Sequence, residues 1–132
     1  MKVLLTGFES NNDGLNASEI LVKSFQDNLP PKLSIHIDNL EFKIMPENTN
    51  ILGRIVNETL ELSSLDICIL TGQARGYNKI CFERMTKNLK YFVTLDKAGN
   101  APKGEEIVPS APVAYWNCRL SSTCSDKHGL LK

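Results

Sequence analysis

The 132-residue sequence has no long apolar run. Its opening, MKVLLTG, offers only a six-residue apolar-leaning stretch before the polar Glu9, Ser10, Asn11 and Asn12. That is too short for the core of an export signal and far short of a membrane span, so the reading expects a cytosolic chain with no membrane partner. Charge of one sign is lacking too: fifteen basic and fifteen acidic residues cancel, and neither is gathered into a block. Without that electrostatic footprint, nucleic acid is not an expected partner, and small molecules or proteins are. The four cysteines, Cys68, Cys81, Cys118 and Cys124, lack C-x-x-C spacing, which argues against a zinc site. A cytosolic chain keeps them reduced, and Cys68 and Cys81 read as core packing. The acceptor patterns at Asn16-Ala-Ser and Asn57-Glu-Thr are expected to go unused. There is no repeat, low-complexity tract or linker, and the length suits one domain, 1–132.

What is present alternates between strand and helix signals. KVLLTG is a continuous apolar strand. NASEILVKSFQDNL follows as a helix with a capping-box start, Asn16 then Glu19, and an apolar stripe of Ile20, Leu21 and Phe25. After the Pro30-Pro31 break, LSIHIDNLEFKIMP reads as one long or two short strands, with His36 a half-exposed sheet residue. NTNILGRIVNETLELS has helical spacing, and DICIL, the most buried-looking strand, comes next. This order predicts an α/β fold with a mixed, mostly parallel sheet flanked by helices, an α/β/α sandwich. ICFERMTK alternates as a further strand, 88–108 reads as a long loop, and SAPVAYWNCRL opens a terminal helix in which Tyr115 and Trp116 are packing or interface aromatics.

In an open parallel sheet, ligands collect at the carboxyl ends of strands. Thr6-Gly7-Phe8 and Thr71-Gly72-Gln73 lie at two such ends. Phe8 offers a flat apolar face and Gln73 an amide, a combination suited to a small ligand that is part apolar and part amide. Strand-then-glycine is also routine turn chemistry.

Taken in order, KVLLTGFE, NAS, TGQARG, ICFERMTKN and EIVPSAPVAYW resemble the pyroglutamyl peptidases (pyrrolidone-carboxylate peptidases), cytosolic cysteine exopeptidases that remove an N-terminal pyroglutamyl residue. The resemblance runs from Met1 to about Leu120 and implies a Cys nucleophile, a His base and an acid that orients the imidazole, with no cofactor or metal. It places the acid at Glu83, catalytic, and the pyroglutamyl ring against Phe8 and Gln73, substrate-binding. Peptides with N-terminal pyroglutamate become the implied partners.

The family's Cys and His segments, of the type S-x-x-A-G-x-x-x-C-N and a later strand, have no counterpart before Lys132. The chain therefore reads as C-terminally truncated relative to the family and catalytically incomplete. Cys124 and His128 are four apart, but fall beyond the matching segment. Other departures accompany this: Phe8-Glu-Ser-Asn11 where the family has F-x-P-F-G, Val93 where an Arg helps an oxyanion, and Arg75 where a glycine is usual. Asp96 and Gly99 fit the family's loop as structural residues. An alternative is a non-catalytic binding or regulatory relative of a full-length peptidase. A half-sheet would expose an apolar face and an unpaired edge, so a homo-oligomer or complex is expected.

Overall fold

The structure, a computed structural model, describes residues 1–11, 14–62, 64–74, 76–83 and 85–116. The contacts gather into two compact units, Met1–Arg75 with Leu95–Asn100 and Gly76–Thr94 with Ala101–Lys132.

The first unit is an α/β layer structure. Its strands are β1 (Lys2–Phe8), β2 (Asn39–Met45) and β3 (Ile67–Leu70), and its helices are α1 (Ala17–Asp27), α2 (Pro31–Ser34) and α3 (Thr49–Leu62). The sheet order is β2-β1-β3, both pairings are parallel, and Leu4 lies opposite Glu41 on one side and Cys68 on the other. β1 occupies the centre because its run Val3-Leu4-Leu5-Thr6 is buried throughout, as a strand covered on both faces must be.

Helix α1 closes on β1 through Gly7. A Cβ there would stand 2.5 Å from the Ser18 carbonyl oxygen and 3.0 Å from Val22 Cγ2, so only glycine permits the approach. The residues that meet the sheet are accordingly Ser18 and Val22, not the expected stripe, for Ile20 is 50% exposed. The capping box is also rewired. Asn16 Oδ1 accepts from the Ser18 N–H at 3.0 Å, but Glu19 reaches Ser10 N at 2.5 Å instead of Asn16, whose own N–H donates to Ser10 Oγ. Helix α3 keeps the expected amphipathic pattern, with Ile51, Leu52, Ile55, Val56 and Thr59 half-buried between exposed positions. Its first N–H groups are served twice: Asn48 Oδ1 accepts from Asn50 N, and Asp96 Oδ2 accepts from Thr49 N and Oγ1, both at 2.8 Å.

Several expectations are corrected. Leu33 and Ser34 fall in α2, started by Pro31, and not in a strand; His36 lies exposed in the turn after it. The last four residues of DICIL, Ile67–Leu70, do form β3, but all four are exposed, and among the described residues β3 is an outer strand of the sheet. Cys68 is thus exposed and Cys81 half-buried, where core positions were expected.

The second unit holds two short antiparallel pairs, β4 (Met85–Lys87) with β7 (Ala114–Trp116) and β5 (Lys90–Tyr91) with β6 (Lys103–Glu105). The strand expected over ICFERMTK is therefore only its last part, the loop 88–108 contains β5 and β6, and Tyr115 and Trp116 sit in a strand instead of a helix. Among the described residues no helix is long and apolar enough to cross a membrane.

Gly7→Ala should cost about 2 kcal/mol or more by overpacking. Gly53→Ala, in α3 with nothing within 4 Å of the new methyl, should stabilise by about 0.5–1 kcal/mol, so urea midpoints should move in opposite directions.

The carboxylates at the helix starts carry a pH dependence. Ion pairing with Lys23 and the bonds from Ser10 draw Glu19 down to about 2, and the Thr49 N–H above all holds Asp96 far below the usual range. Their stabilisation is full above the ordinary carboxylate range and is lost as pH falls from about 4 toward the folded values. Amide exchange at the amino-terminal turns of α1 and α3 should rise on acidification, relative to the intrinsic rate, and Asp96→Asn should flatten the α3 response.

Candidate functional site

At the carboxyl ends of β1 and β3, the two Thr-Gly turns are tied together. Thr71 donates to the Thr6 carbonyl from both its N–H, at 3.1 Å, and its hydroxyl, at 2.5 Å. The Phe8 ring lies beside Gly72, where a Cβ would make ordinary contact at 3.8 Å from Cδ2, so Gly72 is not sterically required as Gly7 is.

The first turn of α1 organises the rest. Phe8 N–H donates to Ser18 Oγ at 2.9 Å, and that hydroxyl donates to Asn16 Oδ1 at 2.7 Å. One residue away, Ala17 N–H donates to Gln73 Oε1 at 2.7 Å. Phe8 and Gln73, singled out from sequence as ligand residues, are thus anchored to consecutive positions of one helix turn. The Gln73 oxygen caps the helix, which fixes its amide so that the NH2 group is the end left to address a ligand.

Where the resemblance implies a second aromatic, a polar lattice stands. Lys97 Nζ bonds both Glu9 Oε1 and the Ser10 carbonyl at 2.9 Å, Glu9 Oε1 also accepts from Glu47 N, and Glu47 Oε2 accepts from Asn11 Nδ2 at 2.8 Å. Lys97, before all else, lowers the Glu9 pKa. This wall presents fixed charge and not a flat apolar face.

Glu83, the expected acid, belongs to the second unit, in an exposed irregular segment just before β4. Ile80 and Val93, both 86% exposed, flank it in the unit's sequence. Cys124, His128 and Arg75 lie outside the described residues. Of the cysteines that are described, Cys68 has its thiol pushed up by desolvation although the residue is exposed, the opposite of an activated nucleophile. Among the described residues no group of three or more His, Cys, Asp or Glu is placed to hold a metal.

The residue that sequence reasoning passed over is Asn88, which closes the motif I-x-x-E-R-x-x-x-N. It is 7% exposed, and its side chain spans a loop: Nδ2 donates to the carbonyls of Val108 (2.8 Å) and Ala111 (3.3 Å), while Oδ1 accepts from Ile107 N (3.1 Å) and Val108 N (2.8 Å). Its backbone N–H continues the β4–β7 ladder to the Val113 carbonyl at 2.8 Å. The motif carrying Glu83 and the EIVPSAPV segment are therefore one hydrogen-bonded assembly. The same loop holds Ser110 at φ 62, with its N–H on Glu106 Oε2. The available signal was the amide itself, whose donors and acceptor together can close a loop where a carboxylate could not. Asn88→Ala should cost about 2–4 kcal/mol through the orphaned backbone groups, and Asn88→Asp nearly as much, since it cannot donate to Val108 and Ala111. Chemical denaturation of both variants checks this.

A family model described as pyroglutamyl peptidase matches residues 1–121. The pyrrolidone-carboxylate peptidase of Vibrio vulnificus is 32% identical over 117 residues, covering 88% of this chain and 53% of the relative. That of Pyrococcus furiosus is 30% identical, covering 89% and 54%. Among solved structures, the pyrrolidone carboxyl peptidase of Fervidobacterium islandicum AW-1 superposes with a TM-score of 0.77 at 30% identity, covering 88% of this chain and 54% of that one. Pyroglutamyl peptidase I of Bacillus amyloliquefaciens gives 0.74 at 31%, covering 87% and 54%. The chain spans about half the length of the relatives it matches. With a family model matched over residues 1–121 and relatives above 30% identity along most of its length, the chain belongs to the pyroglutamyl peptidase family.

Proposed function

We propose that this chain carries the ring-binding and acid-bearing part of a pyroglutamyl-peptidase site and does not complete the reaction alone. The carrying observation is the common anchorage of Phe8 and Gln73 on the first turn of α1, at the carboxyl ends of two parallel strands. A pyroglutamyl ring is a five-membered lactam. One apolar face suits Phe8, and its carbonyl suits the amide donor that Gln73 has left once its oxygen caps α1.

In the complete reaction a thiolate attacks the carbonyl that joins pyroglutamate to the next residue, the C–N bond breaks as an imidazolium gives its proton to the leaving amine, and water then hydrolyses the thioester to release pyroglutamate. Glu83 is the acid that orients this imidazole and offsets its charge. The thiolate and imidazole come from outside the matched segment. The setting is cytosolic, the ligands are peptides with N-terminal pyroglutamate, and the chain works as an oligomer or in a complex.

A second reading, a binding or regulatory relative, is favoured by the Glu9–Lys97–Glu47 lattice, which replaces an apolar wall with fixed charges. The two readings part on turnover by the assembled complex.

The purified chain should not hydrolyse a chromogenic pyroglutamyl amide, and Glu83→Gln should leave its background unchanged. Turnover by the chain alone that Glu83→Gln abolishes would contradict this reading.

A further inference from the structure

One acidic side chain both shapes a turn and seats it. Asp96 is 7% exposed and divides its carboxylate between two tasks. Oδ1 accepts from Ala98 N at 2.9 Å and Asn100 N at 2.8 Å, which closes the turn 96–100. Oδ2 accepts from the N–H and the hydroxyl of Thr49, which seats that turn on the start of α3, where the helix dipole favours a negative charge. Lys97 comes next, its N–H bonded to the Glu47 carbonyl at 3.0 Å. From this fixed backbone its side chain crosses to the turn after β1, where Nζ meets Glu9 Oε1 and the Ser10 carbonyl. All of these residues belong to the first unit.

The turn that Lys97 reaches begins at Phe8. From one side α1 holds it, through Ser18 Oγ on the Phe8 N–H and Glu19 Oε2 on the Ser10 N–H. From the other, Lys97 takes the Ser10 carbonyl. The peptide unit between Ser10 and Asn11 is planar, and its other end is bonded too, the Asn11 N–H donating to the Gly14 carbonyl at 3.2 Å. Lysine has a flexible four-carbon stem, so it can hold that unit only while its own backbone is held. We propose that Asp96 is a positioning residue for the ring site: by seating the turn 96–100 on α3 it holds Lys97, and through Lys97 the Phe8–Asn11 turn, in place beside the ligand. This rests on the reading that Phe8 and Gln73 bind a pyroglutamyl ring. The start of α3, which carries neither residue, thereby contributes to affinity. A role confined to capping α3 would differ in one respect, since losing Asp96 would then act on the turn whether or not Lys97 were present.

The test is a double-mutant cycle of Asp96→Ala and Lys97→Met in the 132-residue chain, with amide exchange and a pyroglutamyl-alanine titration both followed by NMR. Lys97→Met should speed exchange of the Asn11 N–H about fivefold and weaken the dipeptide about fivefold, as loss of one hydrogen bond would. Asp96→Ala should do as much in the unaltered chain, and less than about twofold once Lys97→Met is present. Thr59→Ala, which removes a hydroxyl bonded to the Ile55 carbonyl inside α3, should leave both readings unchanged. If Asp96→Ala fails to fold, Thr49→Val, lacking only the hydroxyl donor, takes its place in the cycle. Equal effects in the two backgrounds overturn the proposal, as does Asn11 exchange or binding that ignores Lys97→Met. A chain that shows the exchange pattern but does not bind the dipeptide keeps the positioning role and overturns the ring-site reading instead.

Discussion

The close approach of α1 to β1 at Gly7 is the constraint from which the first unit's site is built. With no side chain on that residue, the Ser18 carbonyl settles against the strand and the helix enters with its first turn beside the strand end. From that position Ser18 Oγ reaches the Phe8 N–H, and the Ala17 N–H is presented to Gln73. A helix held further out would leave both residues without their anchors. Packing and binding geometry are thus one problem here, settled by the absence of one methyl group.

The helix starts show how this chain treats its unsatisfied backbone donors. In α1 and α3 alike, a local Asn accepts from the second residue of the helix. A remote group then takes the next neighbour in the turn: Gln73 serves Ala17, and Asp96 serves Thr49. Each remote cap ties a loop to a helix, so a bond that satisfies the helix also fixes the loop. Asp96 further accepts from Ala98 N and Asn100 N, which closes the turn around Gly99 at φ +80. The expectation that Asp96 and Gly99 serve the loop's structure has this hydrogen-bonded basis.

Much of the first unit was legible because its signals are local. A continuous apolar run marks β1, helical spacing marks α3, and Asn16 marks the start of α1. Burial was less legible: Ile67 to Leu70 reads as core, yet composition reports what a strand would accept as neighbours and not which neighbours are there. The helix face was misread for a related reason, since Gly7 brings the small Ser18 to the sheet where a stripe of larger residues was expected. Phe8 and Gln73 could be picked out as candidates, but their shared anchorage joins positions 8, 17, 18 and 73, a relation that no window along the chain contains.

The second unit is held in another currency. Its Ile80, Phe82, Val93 and Val113 are exposed, and among those of its residues whose burial is described the buried one is the polar Asn88. Hydrogen bonds from one amide hold residues 107–111, whose own apolar side chains at Ile107 and Val108 stay exposed. The heat-capacity change of unfolding follows newly wetted apolar surface, so opening this loop carries little of it. The loop's stability then changes almost linearly with temperature, without the curvature and cold weakening that apolar burial gives the sheet around Leu4 and Val22.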